Sequence, residues 1–303
     1  MEWWREVTLG IEVEFTGITR NAAGRVLSKF FDSELLHDGG TYDGYSVIDD
    51  KGRKWKIVSD ASIFAQKNAN GTVELASKLY SCELVSPILY YSDIDELQEL
   101  IRKLRKANAF VNSSCGIHIH VGAEELDAVH LKFLCNIMYS KQNLIYRSLN
   151  INSGRLRYCN KLQRDFIEEL NLKKPSNMDE IADIWYGDSF SNRGAHYHSS
   201  RYRCLNLHNL LSGRQPTIEF RMFNSTLHAG KIKAYLQFCL LMGYQALISK
   251  KTSYKITVPV TGNDKYTFRV WLLRLGLIGD EFKTARYHLL KNLEGNIAWR
   301  DII

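Results

Sequence analysis

The chain has 303 residues, 45% of them hydrophobic and 12% aromatic, so it can bury a full core, and its length falls between one large domain and two small ones. Its net charge of +7 and pI near 9.0 permit attraction to nucleic acid, ATP or acidic polymers. The basic residues come mostly in small clusters such as IRKLRK, so nucleic acid is not the expected partner. Six cysteines scattered singly, with no CxxC pair, signal neither a disulfide framework nor a thiolate zinc site.

Four prolines, no Pro/Gly/Ser-rich linker and no repeat predict a single domain over 1–303, with a motif-bearing core at about 8–248 and a helical tail at 249–303. MEWWREVTLGIEVEF has acidic residues where a signal peptide needs basic ones, so secretion is not expected. The longest apolar run, LQFCLLMGYQALI, is interrupted by Gln237 and Gln245 and falls short of the roughly 20 residues of a membrane span. A soluble, cytoplasmic protein with no membrane partner is the expectation.

In chain order, TLGIEVEF alternates strictly and predicts a strand over 8–15, with Glu12 and Glu14 on the face opposite Leu9, Ile11, Val13 and Phe15. The Gly- and Asp-rich stretch 24–45 reads as turns and short strands, RKWKIVSDAS as a strand ending near Asp60, and TVELASKLYSCELVSPIL as a further strand pair. Ser92 with Asp93 and Asp95 suggests an N-cap and acidic first turn for a helix ending near Ala109. CGIHIHVG is a short strand, 124–149 a long helix, and 150–202 loops and weak helix. PTIEFRMF alternates cleanly, KIKAYLQFCLLMGYQALIS is helical, and helices are expected at about 269–275 and 280–293. Strands placed early and between helices favour an α+β fold with a mainly antiparallel sheet.

Three strands share one device. Glu12 and Glu14, His118 and His120, and Glu219 and Arg221 each stand two apart, the strand period, opposite an apolar face. Taken alone, the first pair reads as a solvent-facing strand, the second as a polar sheet face or zinc site, and the third as cross-strand salt-bridge partners. Together, and with Glu83 added, they make a carboxylate-rich site opposed only by Arg221. Asp/Glu oxygens and a neutral imidazole suit Mg²⁺ or Mn²⁺, and two divalent ions would supply the missing positive charge.

GIEVEF, CELVSP, CGIHIHVG, RYRCLNL and TIEFRMF, in this order between about Gly10 and Leu240, resemble the putative amidoligase family, compact relatives of glutamine synthetase and glutamate-cysteine ligase. The resemblance implies a glutamine synthetase-like catalytic domain, a curved, mainly antiparallel sheet with helices on its outer face. It implies Glu12, Glu14, Glu83, His118 and Glu219 as metal ligands and His120 at the ATP phosphates. Arg221 would stabilise the transferred phosphoryl group, so that Glu219, His120 and Arg221 form the catalytic set. No stretch matches the glutamine synthetase loop that closes over ammonium, and there is no glycine-rich P-loop.

Several further residues are candidates. Lys56, Asp60 and Ser62 precede the second carboxylate strand, where Asp60 could hold a substrate ammonium or cap a strand end. Arg201, Arg203 and Asn206 suit a substrate carboxylate or a phosphate, or form an ordinary basic strand. Arg147, Arg155, Arg157 and Tyr158 read first as a solvated loop, with ATP phosphates, a polyanionic substrate or nucleic acid as alternatives. His196 and His198 have metal spacing on a segment without strand alternation, and Cys115 reads as a packing residue.

The expected reaction joins a carboxylate to an amine at the expense of ATP and Mg²⁺ (or Mn²⁺), through an acyl phosphate. Amino acids or peptides are the expected substrates. Glutamine synthetase-type sites can be completed by a neighbouring subunit, which leaves a homo-oligomer open. The competing readings are a two-metal phosphoesterase or peptidase, which needs no ATP, and a basic non-catalytic nucleic-acid-binding module.

Overall fold

The computed structural model describes residues 3–187, 193–259 and 262–298. Its strands are β1 Leu9–Phe15, β2 Leu36–Gly39, β3 Gly44–Ile48, β4 Lys54–Val58, β5 Gln66–Ala69, β6 Thr72–Leu75, β7 Cys82–Val85, β8 Gly116–Gly122, β9 Leu205–Asn206 and β10 Thr217–Asn224. Its α-helices are α1 Trp3–Glu6, α2 Arg20–Phe31, α3 Ile94–Lys106, α4 Ala128–Leu149, α5 Arg164–Lys173, α6 Met178–Tyr186, α7 His208–Leu211, α8 Ala229–Ile248, α9 Asp264–Leu275 and α10 Lys283–Leu290.

Eight strands form one open sheet in the order β2-β3-β4-β7-β1-β8-β10-β9, every neighbouring pair antiparallel, and β5 and β6 form a separate hairpin. This is the α+β class read from the order of elements. Alternation puts Ile11, Val13 and Phe15 of β1, Ile117 and Ile119 of β8, and Ile218 and Phe220 of β10 on one buried apolar face. Helices α2, α3, α8 and α4 cover that side, and α10 packs on the outer surface of α8 and α4. Helix α8 is therefore apolar nearly all round, as a helix enclosed by a sheet and other helices must be. The buried core cluster runs from Trp3 to Leu293 and includes residues of α9 and α10.

Four local expectations are corrected. Part of 24–45 is helix α2, not turns: Thr19 caps it by accepting the Ala22 N–H at 3.2 Å, and Asp32 ends it at a left-handed φ of 47°. Gly24 is a spacer within this helix, since a Cβ there would stand 2.6 Å from Leu35 Cδ1. The strands of 72–85 do not pair with each other, because β6 pairs with β5 while β7 inserts between β4 and β1. Asp93, not Ser92, stands at the N-cap position of helix α3, without a side-chain hydrogen bond into that helix. The Asp93 carboxylate accepts the Tyr90 N–H at 2.8 Å after a 3₁₀ turn, Tyr91–Asp93, and the helix ends at Lys106. Finally, 150–202 holds two regular helices, α5 and α6, on which Phe166, Ile167 and Leu170 and then Ile181, Ile184 and Trp185 are buried. Among the described residues, no helix is long and apolar enough to cross a membrane.

Candidate active site

The polar face of the sheet is built by register. Directly opposed residues in an antiparallel pair share a face, so the pairings align three rows across the strands. One row runs Val58, Glu83, Glu14, and a second runs Lys56, Val85, Glu12, His118. A third runs Gly10, His120, Glu219, Asn206. Between Phe220 and Phe223 the register of β10 against β8 shifts, so two residues, Arg221 and Met222, stand where β8 offers only His118.

This arrangement brings together all five residues expected to bind metal. His118 Nδ1 lies 2.9 Å from Glu12 Oε2 and 3.7 Å from Glu219 Oε1, while its Nε2 lies 3.8 Å from Glu14 Oε1. Two sets of three ligand atoms each fall within 4.8 Å of one another: Glu12, His118 and Glu219, and Glu14, Glu83 and His118. His118 belongs to both and turns a different ring nitrogen to each side. His120 Nε2 is 3.4 Å from Glu12 Oε1, and Gly10 opposite it carries no side chain to crowd the imidazole.

The four carboxylates divide into two kinds. Burial pushes Glu83 well above the usual carboxylate range, reinforced by the charges of Glu12, Glu14 and Asp60. Burial also raises Glu14, whose Oε2 accepts the Gly116 N–H at 2.6 Å. For Glu12 burial acts upward too, but the imidazoles of His118 and His120 outweigh it and hold the carboxyl well below its ordinary value. Glu219 is likewise held down against burial, first by the Arg221 charge. Its carboxylate is ion-paired to Arg221 Nη1 and accepts a 2.6 Å hydrogen bond from Asn206 Nδ2. Hard oxygen donors, an imidazole between them and one carboxylate with no protein hydrogen bond fit a divalent cation, and octahedral Mg²⁺ or Mn²⁺ would complete its shell with water or substrate oxygens.

Other candidates fall differently. Asn206 donates from Nδ2 to Glu219 and accepts the His208 N–H at Oδ1, so it is held against the Glu219 carboxylate. Asp60 Oδ1 accepts from Ser62 N and Oγ, the capping arrangement, although its charge is still felt by Glu14 and Glu83. Lys56 is exposed on the Glu12 row. Arg201 reaches the His196 carbonyl at 3.5 Å and stacks over Tyr197, whose hydroxyl bonds that of Tyr42; the charges of Arg201 and Asp60 both act on Tyr42. Arg203 turns towards Trp185, 4.0 Å from the ring centroid. Arg147 pairs with Asp264 and Arg157 covers the Tyr158 ring. His198 caps the turn at Ser200 and Cys115 is buried.

Arg155 is the residue that the sequence reading placed in a solvated loop. It is 3% exposed, lies over Gly116, and donates through Nη2 to the Arg221 carbonyl at 3.3 Å. Among the described residues its Nε and Nη1 have no hydrogen-bond partner. Since Gly116 continues the row of Glu83 and Glu14, a buried guanidinium with two open donors stands beside the carboxylates. Its 3₁₀ segment, Ser153–Tyr158, has no period that could have announced this. The signal available was the glycine that opens the HxH strand.

The family model for putative amidoligase enzymes matches residues 5–242, a span that holds every strand of the large sheet and all the residues of the two ligand sets. No curated protein matches the chain.

Proposed function

The chain belongs to the putative amidoligase family, and from that premise we propose that it is a carboxylate-amine ligase dependent on ATP and Mg²⁺ or Mn²⁺, built on a glutamine synthetase-like catalytic sheet. The observation that carries the proposal is the pair of ligand sets sharing His118 on one face of the sheet. The substrates are an amino-acid or peptide carboxylate and the amine of an amino acid, peptide or polyamine.

A substrate carboxylate oxygen attacks the γ-phosphorus of ATP and the bond to ADP breaks. The amine nitrogen then attacks the acyl carbon, phosphate leaves and the nitrogen loses its proton. Bound divalent ions supply charge neutralisation at the phosphates. Glu12, Glu219 and the lone-pair nitrogen of His118 would hold one ion, and Glu14 and Glu83, on the other side of the imidazole, would hold the other while the ring keeps its N–H. Arg221 is fixed by Glu219 and by the Tyr158 carbonyl at 3.5 Å, so its charge is aimed before any ligand arrives. Arg155 offers its open Nε and Nη1 to the phosphoryl oxygens or to the carboxylate being activated. His120, at the edge of the Glu12 set, faces the phosphates.

Calorimetric titration of a non-hydrolysable ATP analogue, with and without Mg²⁺, tests this without knowledge of the substrates. Magnesium-dependent binding that disappears in Glu219→Gln is expected. Absence of nucleotide binding under every metal condition would overturn the ligase and leave metal-dependent hydrolysis.

A further inference from the structure

A groove of about 760 Å³ lies on the helical side of the sheet, between α4, the end of α8, α9 and the irregular segment 249–259. Most of its lining lies beyond residue 242, outside the span that matches the amidoligase family.

Four cations line the groove, Lys141, Lys251, Lys255 and Arg274, and no Asp or Glu does. Among the described residues none of the four makes an ion pair, whereas Arg147, Arg164 and Lys173 on neighbouring surfaces each hold a carboxylate. Lys141 is partly buried in the wall, and its Nζ donates to Thr257 Oγ1 at 2.6 Å. Burial and the Arg274 charge both lower its affinity for its proton, so like charges are gathered here at a cost to the folded state. The segment that carries two of the lysines is fixed to α4 at both ends. The Thr257 N–H bonds the Ser140 carbonyl at 2.8 Å and Asn136 Nδ2 bonds Thr252 Oγ1 at 3.2 Å. Serine and threonine hydroxyls add donors, and Trp271 adds a flat apolar wall.

Unopposed cations converging on a concave, hydroxyl-lined groove select phosphate oxygens, and the volume is that of a small-molecule site. We propose that this groove binds a small molecule carrying two or more phosphates, at a site separate from the carboxylate cluster. Lys141 and Arg274 would contact the phosphates and Trp271 would cover the apolar part of the ligand. The inference does not rest on the ligase reading, since its residues and its metal requirement differ.

The test is calorimetry of the full chain with inorganic tripolyphosphate in EDTA. One-to-one binding is expected, retained in Glu219→Gln and weakened about tenfold or more by Arg274→Gln and by Lys141→Gln. Because Lys141 is partly buried, Lys255→Gln provides a second exposed variant in which weakening is also expected. Binding that none of these substitutions alters, or no binding at millimolar tripolyphosphate, would overturn the proposal. So would a single-stranded RNA oligomer that binds the groove cations more tightly than tripolyphosphate, which would make the surface a nucleic-acid track.

Discussion

The guanidinium of Arg155 lies against Gly116 so closely that a Cβ at position 116 would stand 1.8 Å from Nη1. The glycine therefore makes room for a buried cation beside the carboxylates in addition to Arg221. Gly116→Ala must displace Arg155, and it should cost about 1–3 kcal/mol of stability by overpacking. It should also weaken nucleotide-analogue binding to the same extent as Arg155→Gln, about tenfold or more for loss of charge-assisted hydrogen bonds. The two substitutions act through one side chain, so the double variant should bind no worse than either single one. Calorimetry on the three variants checks this, and additive losses would contradict it.

Glu83 bears on the cost of assembling the site. It has neighbouring negative charges in Glu12 and Glu14, and its carboxylate makes no hydrogen bond among the described residues. Without metal, Glu83→Gln should raise stability by about 1–2 kcal/mol, because it removes a poorly compensated carboxylate. With millimolar Mg²⁺ the wild type should gain stability by mass action and the variant should gain much less. Thermal melts with and without EDTA measure both effects.

A third expectation concerns the fold alone. Arg53 joins Asp49 at 2.8 Å and Asp93 at 2.9 Å, and Asp49 also accepts from Trp55 Nε1 at 3.0 Å. Burial opposes ionisation of both acids, but Arg53, with Lys51 at Asp93, outweighs it, so both carboxyls titrate below their ordinary range. Their contribution is thus fully present above the unfolded value of about 3.9 and is lost as pH falls through the lower folded values. Arg53→Met should cost about 3 kcal/mol at pH 7 by leaving Asp49 buried and unpaired. The difference from wild type should shrink below about pH 4, as the acids protonate in the variant. Urea unfolding across pH decides it.

Much of the site was legible because a period of two survives from sequence to strand. Glu12, Glu14, His118, His120, Glu219 and Arg221 lie on one face as alternation requires, and Glu83 follows from CELV. Register was not legible. That Glu12 faces His118 and Glu14 faces Glu83 depends on contacts 69 to 106 residues apart, for which local pattern carries no information. Arg155 escaped for the same reason, since only the tertiary fold lays its 3₁₀ turn over Gly116. Helix α2 was missed because Gly24, there to admit Leu35, imitates a turn residue.

The proposed function needs two metal positions, one on each side of the His118 imidazole. Titration of the protein with Mn²⁺, followed by electron paramagnetic resonance, tests it most directly. Two bound ions per chain, magnetically coupled, are predicted, with Glu12→Gln losing one and Glu83→Gln losing the other. A single ion, or two ions that persist in both Glu12→Gln and Glu83→Gln, would contradict the proposed function.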